Sequence, residues 1–467
     1  MKNLKLHRKA ARVYLTGKVS PNRLFVLVFW AAIFTLTTTA FARADNPSNQ
    51  TARDLEFSYR QAESDTATFN PTDGLSAYLK YAALHNPGLR ASFYRWKADM
   101  EASGVVGGLP DPMFTYGYFI EPVETRVGPQ RQKFGLKQSF PWFGTLGAKA
   151  DAASAAADAS YQEFLSKKLD LFYRVRSAYY DYYLLGREIE LTKENFELLK
   201  FWESVVRTKY KVGLSQHPDL IKAQVELGKI EDQLNTLQEK IRPTVARLRA
   251  VVNIPDTIEL PIPEDIPTIE TELNRDSVLT DVISRNPDLK AAALTIQKER
   301  ASVSVANKAA YPSFTLGVDY IETGEALNPS MAESGKDPWM VSVGITLPIW
   351  FGKNSARREQ AKARLSMARQ SLEEKQNQLR AFTEQILFQY DDARRKIRLY
   401  RDGLVPKAEQ SLKASFTAYR AGEIDFLNLL DTQRQLLAFQ LTLDQARAGA
   451  ATRKAEIELL TGHEITP

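Results

Sequence analysis

The amino-acid sequence predicts a mainly α-helical protein with a smaller β part, built from two tandem copies of one design. Three observations predict this fold. Segments of the first half recur in the same order in the second half, at an offset that drifts from 200 to 209 residues. Each half contains two stretches in which apolar residues alternate with period 2, as in half-buried strands. Each half also contains a proline-poor stretch of about 70 residues with helical composition.

The N-terminal segment has the organisation of a secretory signal peptide. Residues 1–44 contain eight basic residues and no acidic residue. A run of 13 apolar residues begins at Leu24, and small-residue cleavage sites end at Ala42 or Ala44. We therefore expect residues 1–44 to be a cleaved signal peptide. The alternative is a transmembrane anchor, for which this run is short of the ~20 residues that span a bilayer as a helix.

That segment accounts for the net positive charge of the chain. The full chain has a formal net charge of +6, but removal of the segment leaves 54 basic residues against 56 acidic ones. The mature chain is therefore nearly neutral, and we expect no nucleic-acid partner. The absence of cysteine excludes disulfide scaffolds, thiolate metal sites, cysteine nucleophiles and a lipidated N-terminal cysteine.

The repeated segments set the expected domain boundaries. AALHNPGLRAS at residues 82–92 matches VISRNPDLKAA at residues 282–292, and SFPWFG at residues 139–144 matches TLPIWFG at residues 346–352. Since four such matches keep the same order, we infer a tandem duplication. The expected parts are a loosely ordered arm (45–71), the first copy (72–254), an extended connector (255–275), the second copy (276–462) and a C-terminal tail (463–467).

Each copy is expected to begin with one helix that carries an Asn-Pro dipeptide near its start. Two strands follow, in which aromatic and large apolar residues share one face, as Phe114, Tyr116 and Tyr118 do. Taken alone, this pattern also fits a half-buried hairpin in a soluble β-sandwich. The predicted strands are at about 112–121 and 131–143 in the first copy, and at about 312–322 and 338–350 in the second.

A long helix is expected after the strands, beginning near Gly144 and Gly352. A helix of 70 residues reaches roughly 100 Å. Pro406 is expected to break the second of these helices, and Gly186 to loosen the first. After a glycine turn, a further helix in each copy has apolar residues at 3-4 spacing over three heptads, which requires a partner helix. We expect that partner to be the preceding long helix, folded back as a hairpin.

A lone two-stranded hairpin is marginal in water, so its apolar face requires a cover. One solution is an oligomer whose hairpins close into a β-barrel with the aromatic faces toward lipid. The polar segments Glu121–Gln130 and Gly324–Asp337 would then be extracellular loops, and the helices would extend beyond the membrane.

With these features the sequence resembles the TolC-like outer-membrane efflux proteins over nearly the whole mature chain. The residues that carry the resemblance are the duplicated NP.L segments, the FPWFG and LPIWFG joints, the paired Y..G turns and the stretch YRAGEIDFLNLLDTQRQLL. The resemblance implies a homotrimer in which each protomer gives four strands to a 12-stranded barrel, continued by an α-helical tunnel across the periplasm.

The resemblance also implies a function and a location. The chain would be the passive exit duct of a tripartite efflux pump in a Gram-negative outer membrane, exporting small molecules or metal ions. Its partners would be outer-membrane lipid, a periplasmic adaptor (membrane fusion) protein and an inner-membrane transporter. Neither an enzyme activity nor a cofactor is implied, and the four histidines lack metal-ligand spacing.

Site residues follow from the same resemblance. It places the periplasmic tips, which would contact the adaptor, at Tyr210, Gly213, Tyr419 and Gly422. It gives the strand-to-helix joints as Pro141, Gly144, Pro348 and Gly352. It implies a constriction at the tunnel entrance, with Asp219 in the place of a family acid, Asn428 as a departure at the aligned position, and Asp425 and Asp431 nearby. An acidic ring there would attract cations. The alternative is that Asp219 only complements the helix macrodipole.

Three other functions fit parts of this pattern. A type I protein-secretion duct shares the fold that the resemblance implies. A soluble periplasmic coiled-coil adaptor also has a signal peptide and long hairpins, but carries one hairpin between β-rich domains. A coiled-coil scaffold leaves the four aromatic-faced strands unexplained.

Overall fold

The structure is a computed structural model that describes the chain in five segments: residues 47–64, 69–213, 215–267, 272–328 and 330–463. The predicted signal peptide lies outside the described residues, as does the predicted tail beyond residue 463. The chain divides into two compact units, of which the second begins at Thr66.

The described part of the first unit is a single helix, α1 (Pro47–Ser64). The prediction of a loosely ordered arm was therefore wrong for this stretch. Its sequence contains Ala, Leu, Arg, Glu and Gln, which are good helix formers. Glu56 and Arg60 also form an i,i+4 ion pair at 2.7 Å, which supports a helix.

The second unit contains both copies, and the predicted mainly α-helical fold with a small β part is confirmed. The first copy contains α2 (Leu75–His85), α3 (Pro87–Gly107), β1 (Met113–Thr125), β2 (Gly128–Phe140), α4 (Thr145–Lys211), α5 (His217–Glu239) and α6 (Ile241–Val252). The second copy contains α7 (Arg275–Arg285), α8 (Pro287–Lys308), β3 (Ser313–Thr323), β4 (Trp339–Thr346), α9 (Phe351–Leu399), α10 (Val405–Ala421) and α11 (Phe426–Thr461).

The Asn-Pro dipeptide separates two helices in each copy, where one helix was expected. Asn86 caps α3 by accepting the Leu89 N–H at 3.0 Å, and its Nδ2 donates to the Val251 carbonyl at 2.8 Å. Asn286 likewise caps α8, and its Nδ2 donates to the Leu460 carbonyl at 3.0 Å. Each asparagine therefore starts one helix and ties it to the last helix of its own copy.

The long helices pack as hairpins around α4. This helix contacts α5, α3, α8 and α11, and α10 packs against α11. The residues at 3-4 spacing in α5 and α11 are all buried or half-buried. They are Leu220, Ala223, Leu227, Ile230, Leu234 and Leu237 in α5, and Leu429, Thr432, Leu436, Phe439, Leu443, Ala446 and Ala450 in α11. One hydrophobic cluster joins both hairpins near their tips and includes Trp202, Val206, Tyr419, Phe426 and Leu429.

Gly186 does not loosen α4, which is continuous over 67 residues. The connector passes close to the helix at this point. A Cβ on Gly186 would lie 2.2 Å from Cγ2 of Ile262, so the glycine makes room for that side chain. The Tyr182 hydroxyl also donates to the Leu260 carbonyl at 2.9 Å and holds the connector in place.

Pro406 deforms its helix just before the proline, but the chain continues as a helix beyond it. A five-residue π-turn, Tyr400–Leu404, joins α9 to α10, and the proline lies in the first turn of α10. A π-turn leaves room for a proline that lacks an N–H group. In the first copy the interruption is in the return helix, where Lys240 separates α5 from α6 just before Pro243.

The four strands form one antiparallel sheet in the order β1-β2-β3-β4. Strands β2 and β3 pair across the two copies, with Leu136 opposite Val318 and Phe140 opposite Phe314. Strand β1 extends to Thr125 and only Arg126 and Val127 separate it from β2, so the loop predicted at Glu121–Gln130 was too long.

Candidate functional site

One face of the sheet is mainly apolar across all four strands and exposed along much of its area, with Gln132, Gln138 and Glu322 as its polar members. The register places Tyr116, Phe134, Tyr320 and Trp339 in one row. Rings in this row lie 5.0 to 6.2 Å from their neighbours. The exposed members on the edge strands are Phe114, Tyr116, Tyr118, Ile120, Trp339, Val341, Val343 and Ile345. A contiguous exposed apolar surface of this kind is typical of an interaction with another protein or with lipid.

The opposite face carries small and polar residues. Lys133 forms an ion pair with Asp319 at 3.2 Å, and Asp319 is only 2% exposed. Ser139 and Thr315 are hydrogen-bonded across β2 and β3 at 3.1 Å. The sheet therefore has one mainly apolar face and one mainly hydrophilic face, the latter interrupted by the exposed Met113 and Met340. The described residues form no second sheet over either face.

The loops of the two hairpins contact each other at one end of the sheet. The Gly335 N–H donates to the Val127 carbonyl at 2.7 Å, and the Gly324 N–H donates to the Pro129 carbonyl at 2.7 Å. Arg126 and Glu333 add an exposed ion pair at 3.8 Å. The β3–β4 loop is thus folded onto the β1–β2 turn.

The strand-to-helix joints at the other end differ between the copies. After Pro141, Gly144 caps α4 in the left-handed conformation, with φ 74°. After Pro348 the helix begins earlier, so Gly352 lies inside the first turn of α9. The sequence match therefore hides a difference in backbone conformation, because only Gly144 needs the freedom of glycine.

Both tip glycines have positive φ, as a tight turn between helices requires. Gly213 has φ 78° and follows α4, whereas Gly422 has φ 82° and ends α10. A non-glycine residue at either position would be strained. The two turns lie side by side, because Lys209 of the first hairpin donates to the Tyr419 carbonyl of the second at 2.7 Å.

The two tip tyrosines have different surroundings. Tyr210 is 41% exposed and its ring faces His217 at 5.4 Å. Tyr419 is 5% exposed, its ring packs on Phe426, and Lys209 Nζ lies 4.4 Å from the ring centroid. Burial raises the pKa of Tyr419, and the nearby Asp219 carboxylate raises it further. Only Tyr419 therefore belongs to the core.

The candidate constriction residues are engaged in local contacts. Asp425 caps α11 by accepting the Asn428 N–H at 2.9 Å. Asp431 forms an i,i+3 ion pair with Arg434 at 3.4 Å. Asp219 lies in the first turn of α5. All three carboxylates therefore have a local partner, since the Ser215 hydroxyl donates to Asp219 at 3.4 Å.

Sequence reasoning missed an ion pair between the hairpins. Two guanidinium nitrogens of Arg434 in α11 donate to the carboxylate of Glu226 in α5, with Nε 2.8 Å from Oε1. Glu226 is buried. The hydrogen bonds from Arg434 lower the pKa of Glu226 despite its burial. The partners are 208 residues apart in the chain, and no local pattern connects them.

The described residues contain neither a membrane-spanning helix nor a cluster of metal-binding side chains. Across residues 47–463, apart from the undescribed gaps, no helix is long and apolar enough to cross a membrane. In the same part of the chain, no group of three or more His, Asp or Glu residues is placed to hold a metal ion.

Comparisons with known proteins agree with this architecture. Nodulation protein T of Rhizobium leguminosarum bv. trifolii is 23% identical over 409 residues, which cover 84% of this chain and 86% of the relative. The pyoverdine export outer membrane protein OpmQ of Pseudomonas putida is 24% identical over 336 residues and covers 67% of each chain.

The fold matches solved structures too. The outer membrane protein VceC from Vibrio cholerae superposes with a TM-score of 0.69 at 19% identity, over 84% of this chain and 97% of that one. The model of the family described as "Outer membrane efflux protein" matches residues 131–253 and 278–463, which are most of both copies. With two hairpins, one four-stranded sheet and this match, the chain belongs to the outer membrane efflux protein family.

Proposed function

We propose that the protein is one subunit of a homotrimeric outer-membrane channel, the passive exit duct of a tripartite efflux pump. The observation that carries this proposal is the continuous apolar face of the sheet, which is exposed on the edge strands. Burying that face in lipid accounts for aromatic residues on one side and glycine, serine and lysine on the other. The family supports the role of an efflux channel.

The open edges of the sheet supply a reason for a closed oligomer, which we take to be the trimer. Strands β1 and β4 each pair on one side only, and such open edges cannot be left unpaired in lipid. Pairing β1 of one protomer with β4 of the next removes every edge in a closed ring. Three protomers then give a 12-stranded barrel, and their helices continue it as a tunnel across the periplasm.

The chain reaches its place through the signal peptide at residues 1–44, which is cleaved, and without a lipid anchor because the chain has no cysteine. Both copies, at residues 72–254 and 276–462 with the connector at 255–275 between them, serve the same channel. The barrel is then held in the membrane by its apolar face alone.

The hairpin tips are the proposed periplasmic entrance. Tyr210, Gly213 and Gly422 contact the adaptor, whereas Tyr419 is buried and supports the tip from the core. The inner-membrane transporter supplies the cargo through the adaptor. Asp219, Asp425, Asn428 and Asp431 line the constriction. Asp219, Asp425 and Asp431 together give the constriction negative charge, which the ion pair of Asp431 with Arg434 reduces. The cargo is a small molecule or metal ion, and one relative is named for pyoverdine export.

The test begins with location and assembly. After cell fractionation, the mature protein should be in the outer membrane and should leave it only with detergent, with the mass of a trimer by light scattering. A monomer that stays soluble without detergent would contradict the proposal and favour a periplasmic adaptor.

Export is tested with a tip variant. Gly422→Pro should abolish export while trimers still form, because φ 82° is closed to proline. Export is measured as ethidium and copper accumulation in the native host, deleted for the gene and complemented. Gly147→Ala is the matched control, since a Cβ there meets nothing within 4 Å. Normal export by Gly422→Pro would overturn the assignment of the tips.

A further inference from the structure

The charged residues in the middle of the hydrophilic sheet face each lie opposite a glycine. Lys133 is paired with Gly117 of β1, and Lys137 with Gly317 of β3. Asp319 of β3 is paired with Gly135. Because glycine has no side chain, each charged side chain has room to lie across the glycine of the neighbouring strand. The face therefore carries charge without bulky side chains standing up from the sheet.

Two of these three charges cancel. Lys133 and Asp319 are 3.2 Å apart, and Asp319 is almost fully buried. Gly135 is needed for this arrangement, since a Cβ there would lie 2.5 Å from Asp319 Oδ1. The pair is locally fixed and contributes no net charge to the face.

Lys137 is the charge that remains. Its stem covers Gly317, where a Cβ would be 3.2 Å from Lys137 Cγ. Its row consists of Met113, Lys137, Gly317 and Ser342, and contains no acid. The next row toward the helices, Ser139, Thr315 and Gly344, is uncharged as well, and the exposed Asp111 just before β1 makes no ion pair with Lys137. Among the strand residues that the structure describes, the other carboxylates, those of Glu121, Glu124 and Glu322, lie toward the loop end.

We propose that Lys137 forms, in three copies, a cationic collar inside the barrel at its helix end. This inference rests on the proposed function, since it takes the hydrophilic face as the wall of the pore. A ring of unpaired ammonium groups above small residues attracts anions and repels cations. The collar therefore favours small organic anions, with carboxylate, sulfonate or phosphate groups, as the class of cargo.

The test is ion selectivity in planar lipid bilayers, with the purified full-length trimer under a tenfold KCl gradient. The wild-type chloride-to-potassium permeability ratio combines the collar with the acidic constriction, so the collar is measured by the change that each variant makes. Lys137→Gln should lower the ratio by at least about threefold, as expected for loss of a charge acting at pore distances. Lys137→Glu should lower it further, and Lys137→Arg should keep the wild-type ratio.

The matched control is the double variant Lys133→Gln with Asp319→Asn, which removes the neutral pair and should leave selectivity unchanged. Circular dichroism and trimer mass show whether each variant is folded. A conducting channel whose selectivity is the same in Lys137→Gln and Lys137→Glu would overturn the collar and leave the proposed channel standing. Absence of any conductance would overturn the channel, and the collar with it.

Discussion

The two copies use the same contacts where each begins and ends, and different ones in between. Asn86 and Asn286 make the same pair of hydrogen bonds, at 2.8 to 3.2 Å, to the next helix and to the last helix of their own copy. Asn253 and Gly462 then end those last helices in the left-handed conformation, with φ 68° and 78°. These helix ends, which α3 and α8 separate from the sheet, thus preserve the symmetry of the duplication.

The interruptions of the long helices have changed places between the copies. The first copy has a continuous outgoing helix, α4, and a return helix interrupted at Lys240. The second has an outgoing helix interrupted by the π-turn at Tyr400–Leu404 and a continuous return helix, α11. In each copy a proline follows the interruption within a few residues. The position of the proline in each copy, and not the duplicated pattern, therefore decides where these helices deform.

The largest expected difference between the copies is at the tip tyrosines. Tyr419→Ala should destabilise the protein by about 3–5 kcal/mol, because it empties a buried site against Phe426 and Lys209. Tyr210→Ala should cost less than about 1 kcal/mol, because its ring is largely exposed. The measurement is the apparent melting temperature in detergent. Equal losses would mean that the tips are equivalent, and Tyr419→Phe should keep most of the stability.

The asparagine caps should instead show equal effects. Asn86→Ala and Asn286→Ala each remove a cap and a bond to a carbonyl, so each should cost about 2–3 kcal/mol. Hydrogen exchange should report the loss at the start of α3 or α8, respectively. A loss in one copy only would break the symmetry inferred for this end of the molecule.

The stability contributed by the Glu226–Arg434 ion pair between the two copies should depend on pH. Arg434 lowers the pKa of Glu226 below its ordinary value of 4.5, so the carboxylate stabilises the folded state above that value. This stability is lost as the pH falls through the lowered pKa. Glu226→Gln should cost about 1–2 kcal/mol at pH 7, since Arg434 is nearly half exposed and water screens the pair.

Melting temperatures of wild type and Glu226→Gln, taken from pH 7 down to pH 3, check this prediction. The two curves should converge at the acidic end. A gap that stays constant over the whole range would assign the effect to packing. Glu359→Gln is the control, because its i,i+3 pair with Lys362 is solvent-exposed and local.

The smallest effects on stability are expected at the joints, where the sign should differ between the copies. Gly144→Ala places a Cβ at φ 74° and should cost about 1 kcal/mol. Gly352→Ala lies in a helix with open space around it and should raise stability by about 0.5 kcal/mol or leave it unchanged. Melting temperatures decide this, and two equal losses would show that the joints are alike.

Periodicity was enough to predict the strands, the long helices and the glycine turns, because each depends on neighbours in sequence. It could not predict that Tyr419 is buried and Tyr210 exposed, since both stand in the same Y..G context. The Glu226–Arg434 pair joins residues 208 apart and leaves no local trace. Gly186 was misread for a similar reason, because its neighbour Ile262 belongs to the connector.

The central claim is that the apolar face of the sheet meets lipid while the other face lines water. Val341 and Ser342 are adjacent and point to opposite faces of β4, and the chain has no other cysteine to label. Val341→Cys and Ser342→Cys, each carrying a bimane label in proteoliposomes, test it directly. Brominated lipid should quench the label at 341 and not at 342, and aqueous iodide should do the reverse. Equal quenching at the two positions by either agent would contradict the account.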